Sequence, residues 1–402
     1  MKVLLACQTA TNKGDRAIAE YLLSQFTSLG HEVVLSTTRP ELWETEKNHQ
    51  VKVIEMGYKS LNRLSVCAPL KKVFRIVTRL ICDKMLYSSL IAPKGKHRLC
   101  QLVSKEFISE VKSADLVIVT GGHHITSIRE KNALFQFTYD IGLISLYAKR
   151  YVLWAQTIGP LEFTSEKAKN FIRSTIEKAE KVFIRDENSL LCVENLCNKT
   201  NYLVKTYDSV FGYGTMEFPD VVDREKKVGI AIFDGLKKAL RTFDTIAKML
   251  DIYAEQGYQI EFFRMEHNDY ELDNIRQVIS HMDKEANITI YPFMSTTEAH
   301  LKEVASCRCF IGYKTHSVIM ALTTATPLIA IAYHKKTADF MNDFGLGEYV
   351  ISDEELDLDK ARLCIKCLDD NLHNIQQKQR IVARQIAERL KKDMGEMIDN
   401  DK

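Results

Sequence analysis

Residues 2–35 read KVLLACQTATNKGDRAIAEYLLSQFTSLGHEVVL, and the fold turns on how this stretch is parsed. An apolar run from Val3 to Cys7, a polar loop to Gly14, and then Ile18, Leu22, Phe26 and Leu29 at helical spacing predict strand, loop and helix. Gly30 stops that helix as a left-handed cap would, and His31 to Leu35 resumes as a second strand, completing a βαβ unit. The same grammar recurs at Asp115 to Thr120 before Gly121-Gly122, at Tyr151 to Ala155 before Ile158-Gly159-Pro160, and at Lys181 to Ile184 before a helix starting near Asp186. Short apolar strands alternating with helices imply a parallel sheet covered on both faces.

Between Gly212 and Lys227 the pattern breaks into Gly212, Gly214, Pro219 and the charged run Asp223 to Lys227, which reads as a linker. Beyond it the grammar restarts, with strands at Val228 to Phe233, Tyr258 to Phe263, Cys309 to Ile311 and Leu328 to Ile331. A helix from about Leu236 to Gln256 closes on Gly257, and 353–394 is helical throughout. The expectation is an α/β protein of two Rossmann-like domains, with mainly parallel sheets facing a cleft. The first covers 1–215 and the second 226–402, the C-terminal helix packing back on the first.

The composition agrees with that reading and narrows the partners. The chain has 402 residues, 46% hydrophobic, with 55 basic and 53 acidic side chains, which excludes a disordered or collagen-like chain. A net charge of +2 gives no general reason to expect nucleic acid. No apolar run is long enough to span a bilayer, and the N-terminal run is shorter than a secretory signal core, so a cytoplasmic protein is expected. The ten cysteines, including the Cys364/Cys367 pair inside a helical pattern, read as buried thiols, and no metal site is expected. One segment departs from neutrality: 59–98 holds ten Lys or Arg and one acid, Asp83, with apolar residues at helical spacing. Two readings stand for this basic helix: a packed helix with a solvated face, or a peripheral contact with anionic lipid headgroups or an anionic polymer at the inner face of the membrane.

In open α/β sheets, ligands bind beyond the carboxyl ends of strands, so the polar residues there are the candidates. Four groups qualify: Asn12-Lys13-Gly14-Asp15, Gly121-Gly122-His123-His124, Arg185-Asp186-Glu187-Asn188-Ser189, and Gly312-Tyr313-Lys314-Thr315-His316-Ser317. Singly each has an ordinary structural reading, Asn12 or Asp15 as a helix cap and Gly121-Gly122 as a turn with positive φ. Lys314 and His316 bracket the start of an apolar helix, where unpaired backbone N–H groups already favour an anion. Arg185 stands at a strand end in the first half. Together these make a cationic site for a phosphate or carboxylate, Arg185 as a bidentate fork and Lys314 as a point charge. Alternatively, Arg185 pairs with Asp186 or Glu187 and His316 merely caps its helix.

The ordered set Asn12-x-Gly14-Asp15-x-Ala17-Ile18, Ala114 to Ile118 with Gly121-Gly122, Gln156-x-Ile158-Gly159-Pro160, Arg185-Asp186-x-x-Ser189, and Gly312-x-Lys314-x-His316-Ser317 with Pro327 resembles the polysaccharide pyruvyl transferase family. The resemblance implies a fold similar to two-domain GT-B glycosyltransferases. It also implies a reaction in which phosphoenolpyruvate, the donor substrate, gives a pyruvate ketal on a sugar of a polysaccharide or its lipid-linked precursor, with no further cofactor. It assigns catalytic roles to His316, Arg185 and Lys314, the last standing where the family carries an arginine. Asn12, Gly14, Asp15, Gly121, Gly122, His123, Gln156 and Ser317 are the expected substrate-binding positions. The base that would activate the acceptor hydroxyl is not singled out among Asp15, Asp208 and Glu266. A nucleotide-sugar glycosyltransferase and a catalytically lapsed binding module are the alternatives.

Overall fold

In the computed structural model the described residues are 1–9, 11–44, 51–57, 104–128, 136–232 and 240–398. The basic segment 59–98, read above as an amphipathic helix with a surface-binding face, lies outside the described residues. By its packing the chain divides into two units: Met1–Ala10, Leu22–Asp208 and Met397–Lys402 form the first, and Thr11–Tyr21 with Ser209–Glu396 form the second.

The first unit carries strands β1 (Lys2–Gln8), β2 (Glu32–Thr37), β3 (Lys52–Glu55), β4 (Leu116–Val119), β5 (Gly122–Ile125), β6 (Tyr151–Ile158), β7 (Lys181–Ile184) and β8 (Leu203–Lys205). They make one parallel sheet in the order β3-β2-β1-β4-β6-β7-β8, with β5 paired to β6. Its helices are the second half of α1 (Lys13–Ser28), a short α2 (Glu41–Glu44), then α3 (Lys105–Ser113), α4 (Gln136–Tyr147), α5 (Glu166–Glu177) and α6 (Glu187–Leu196). A strand such as β6, buried at every position, has no solvent face, which is why its sequence runs apolar instead of alternating. Leu4, Val117, Leu153 and Val182 from four strands meet Phe107, Ile144, Phe171 and Ile172 from three helices in one apolar cluster.

The second unit repeats the plan. Strands β9 (Glu225–Ala231), β10 (Gln259–Phe263), β11 (Ile288–Tyr291), β12 (Cys307–Gly312), β13 (Leu328–Ala332) and β14 (Val350–Ser352) pair in parallel in the order β11-β10-β9-β12-β13-β14. The helices are α7 (Leu240–Glu255), α8 (Asp269–Ser280), α9 (Thr297–Ser306), α10 (Thr315–Thr323), α11 (Lys335–Asp343) and α12 (Leu358–Ile398). In each sheet the order reverses at the first strand, β1 or β9, the doubly wound pattern that places ligands at the strands' carboxyl ends.

Two details depart from the sequence reading. The charged run taken as linker ends inside β9: Glu225 to Lys227 are strand residues, because the Lys227 ammonium is taken up by Glu303 at 2.6 Å and Glu261 at 3.1 Å and so tolerates burial. The first half of α1 packs with the second unit. The Lys13 amide donates to Met265 O at 2.8 Å, its Nζ to Phe293 O at 3.1 Å, and the Glu20 carboxylate accepts from the Thr297 amide at 2.7 Å, at the start of α9. No helix among the described residues is long and apolar enough to cross a membrane.

Candidate active site

Three strand ends of the second unit meet around a pocket of about 150 Å³. It is lined by Asn12, Met265 and Glu266 after β10, Lys314, Thr315 and His316 after β12, and Tyr333 after β13. Lys314 Nζ donates to Glu266 Oε1 at 2.6 Å, and Asn12 Nδ2 donates to the same oxygen at 2.5 Å. Both ends of the ion pair are largely shielded, with side-chain exposures of 8% for Lys314 and 16% for Glu266, so solvent screens it little. The other end of the Asn12 carboxamide caps α1, its Oδ1 accepting from the amides of Gly14 (2.9 Å) and Asp15 (3.1 Å).

Gly14 has a steric reason to be glycine. A β-carbon there would lie 2.0 Å from Cγ of the His316 ring and 2.1 Å from Nδ1, so the imidazole is seated directly on the Gly14 backbone. Beneath Glu266 the buried Glu271 carboxylate accepts from the Met265 amide at 2.8 Å and the Glu266 amide at 3.0 Å, fixing the turn. Burial pushes the Glu271 carboxyl up to about 7, against the opposing pull of those amides and of Lys314.

The helix starts of this unit are unequal. Asn268 caps α8 and Thr296 caps α9 through their own side chains, whereas α10 begins at Lys314 and α11 at His334 with no side-chain cap. Thr315 and Thr337, in the first turns of α10 and α11, share a hydroxyl hydrogen bond at 3.0 Å. An apolar helix whose first turn has no side-chain acceptor presents its partial positive charge to whatever anion occupies the pocket. Ser317, expected to bind substrate, donates its hydroxyl to Lys314 O at 2.7 Å, which steadies the first turn of α10. Among the described residues no three His, Cys, Asp or Glu side chains gather as a metal site.

The remaining sequence candidates belong to the first unit and are mostly bound up in it. Arg185 is buried; its Nη1 donates to Asp208 and its Nε to Thr157 Oγ1 at 2.9 Å. The partner is Asp208, brought by the chain after β8, and neither Asp186 nor Glu187: Asp186 caps α6 and Glu187 pairs with Lys205. Gln156 is fully buried and donates to the carbonyls of Val119, Thr120 and Trp154, bridging β4 and β6. Gly122 is a strand residue without positive φ; a β-carbon on it would meet His124 Nε2 at 2.4 Å, so crowding and not turn geometry selects glycine. Gly121 is buried just ahead of it, and His123 Nε2 bonds to Gly159 O.

Sequence reasoning missed Tyr333 and Met265 in the pocket, and the pairing of Glu266 with Lys314 across 48 residues. It also missed Gln8, buried at the end of β1 with its Nε2 donating to Thr120 Oγ1. Gln8 and Gln156 each follow a non-glycine residue with positive φ, Cys7 at 71° and Ala155 at 47°, at a break in strand register. Non-glycine residues in that region persist only where their surroundings hold them.

Solved structures with the same fold include a glycosyltransferase from Rickettsia africae (TM-score 0.56, 10% identity, 100% of this chain and 99% of that one). MnaA of S. aureus, in a co-structure with UDP, gives 0.52 at 11% identity over 98% and 97%. The spinosyn rhamnosyltransferase SpnG gives 0.51 at 12% identity over 97% and 99%. At these identities the likeness shows a GT-B-type fold of two Rossmann-like units. Residues 12–335 match the pattern that defines polysaccharide pyruvyl transferases, and the chain belongs to that family. It is also similar to the amylovoran biosynthesis protein AmsJ of Erwinia amylovora, at 21% identity over 98% of this chain and 100% of that one.

Proposed function

We propose that this protein transfers pyruvate from phosphoenolpyruvate to a sugar of a polysaccharide or its lipid-linked precursor, forming a pyruvate ketal and inorganic phosphate. Family membership supports a transferase of polysaccharide biosynthesis. The observation that carries the donor assignment is the α10 start: a helix N-terminus without a side-chain cap, bearing Lys314 and His316 and opening on a pocket. The donor has a carboxylate and a phosphate, and a cation beside a helix N-terminus is complementary to either.

Ketal formation requires protonation of the enol carbon and capture of the resulting oxocarbenium by a sugar hydroxyl. His316, held on Gly14 at the pocket wall, is the proposed acid. Lys314 is the proposed anion ligand. Arg185 is tied to Asp208 within the first unit, and its five N–H groups exceed what that pairing uses. We assign no further cofactor.

The test is a product mass. Incubating the protein with phosphoenolpyruvate and saccharide fragments of a cell-surface polysaccharide should give the mass of a cyclic pyruvate ketal, with phosphate release that depends on the saccharide. A glycosylated product formed from a nucleotide sugar would replace this reading with the glycosyltransferase one.

A further inference from the structure

We propose that Glu266 is the base that activates the acceptor hydroxyl, and that Lys314 holds it in reserve until the donor binds; this rests on the phosphoenolpyruvate reading above. Three carboxylates were open on sequence grounds, and the geometry separates them. Asp208 has no exposed surface and is committed to Arg185, and Asp15 does not line the pocket. Glu266 alone of the three shares the pocket with Lys314 and His316.

The carboxylate is well placed but quenched. Its Oε1 accepts from both the Lys314 ammonium and the Asn12 amide, at 2.6 and 2.5 Å. A carboxylate so bonded is a weak base, because the adjacent positive charge stabilises its ionised form. The backbone cannot carry it away: the Glu266 amide is held by Glu271, Arg264 Nη2 donates to its carbonyl at 3.3 Å, and residues 12 and 266 form a backbone bridge. What can move is Lys314, whose long side chain carries a point charge. A donor phosphate or carboxylate at the α10 start competes with Glu266 for that ammonium. When the donor takes it, Glu266 keeps Asn12 and regains basicity in a site that now holds the donor. Acceptor activation therefore follows donor binding, in that order.

The proton and electron count closes on this scheme. His316, as imidazolium, gives a proton to C3 of phosphoenolpyruvate. The acceptor oxygen forms a bond to C2 as its proton passes to Glu266. The C2–O bond to phosphorus then breaks and phosphate leaves with the electron pair. The second hydroxyl closes the ketal on C2 as it loses its own proton. Of the two hydroxyl protons, one replaces that given by His316 and the other leaves on phosphate. Among the described residues, the charged and titratable groups facing Glu266 are Lys314 and His316 from the β12–α10 turn, Arg264 after β10, Glu271 from α8 and the Tyr333 phenol after β13.

The experiment compares wild type, Glu266→Gln and Glu266→Asp by calorimetric titration of phosphoenolpyruvate in buffers of different ionisation enthalpy, and by saccharide-dependent phosphate release. Glu266→Gln should bind phosphoenolpyruvate roughly tenfold more tightly, having lost the competing charge, while its turnover falls about 100-fold or more. Wild type should take up protons on donor binding at mildly acidic pH, and Glu266→Gln should not take up that share. Glu266→Asp, which keeps a base on a shorter arm, should retain intermediate turnover, and melting curves show that each variant is folded. Donor binding that is unchanged or weaker in Glu266→Gln overturns the exchange, and wild-type turnover in that variant overturns the base. A wild-type protein that turns over phosphoenolpyruvate while Glu266→Gln does so equally well sinks this inference alone. A wild-type protein that does not bind phosphoenolpyruvate sinks the donor reading and this inference with it.

Discussion

The two units share a doubly wound parallel sheet yet differ at the helix starts that follow their strand-end cations. In the first, α3, α5 and α6 are closed by Ser104, Ser165 and Asp186, and the strand-end cation Arg185 is turned inward onto Asp208. In the second, α10 and α11 lack side-chain caps, and the strand-end cation Lys314 sits in a pocket, paired with a carboxylate from another strand end. The same fold therefore yields one unit in which these three helix starts and the strand-end cation are tied internally, and one in which two helix starts carry no side-chain cap. The first arrangement serves stability; the second is suited to exchange.

The largest test of this contrast is His316→Ala, which should lower saccharide-dependent phosphate release by 10² to 10⁴-fold, the range for losing a general acid, while phosphoenolpyruvate binding stays measurable. Near-normal turnover would remove His316 from the chemistry. In the first unit the strand-end cation should instead read out in stability. Arg185→Ala leaves Asp208 buried and unpaired, and a loss of about 3–5 kcal/mol is expected in denaturant unfolding, partly recovered when Asp208 is also made apolar. A stability close to wild type would show that Arg185 is not the internal tie it is taken for. Gly14→Ala drives a methyl group into the imidazole seat and should cost on the order of 10²-fold in turnover with a much smaller effect on donor affinity, since it misplaces the acid and not the anion site.

The smallest expected effect concerns pH. Burial raises the Glu271 carboxyl from 4.5 in the unfolded chain to about 7 in the fold, so the folded state binds the proton more tightly. Its contribution to stability is complete below about pH 4.5 and is lost as pH rises through about 7. Glu271→Gln should flatten that part of the stability profile; an unchanged slope would place the pH dependence in other groups.

Much of the fold was legible because its signals are local. Lys181 to Ile184 stands as read, and Gly30 and Gly257 close their helices at φ of 76° and 77°. The edge strands β3, β8, β11 and β14 were not legible, being only three or four residues long with exposed positions that blur the apolar run. Of the site, Lys314 and His316 were visible because strand, turn and apolar helix are contiguous there. Their settings were not: Glu266 reaches Lys314 from a different strand end, Asp208 reaches Arg185 from beyond β8, and the attachment of Thr11–Tyr21 to the second unit depends on Lys13 and Glu20 meeting distant backbone groups. The identity of a cation is written in the chain, but its partner is set by topology.

In the proposed reaction the α10 start, with Lys314, takes the anionic donor. The most direct measurement is calorimetric titration of phosphoenolpyruvate into wild type and Lys314→Ser, which exchanges the charge for a residue able to cap the helix. Wild type should bind with an affinity that falls as salt rises, and Lys314→Ser should bind at least tenfold more weakly while remaining folded. Equal affinity in the two proteins, or no binding in wild type, would contradict the account.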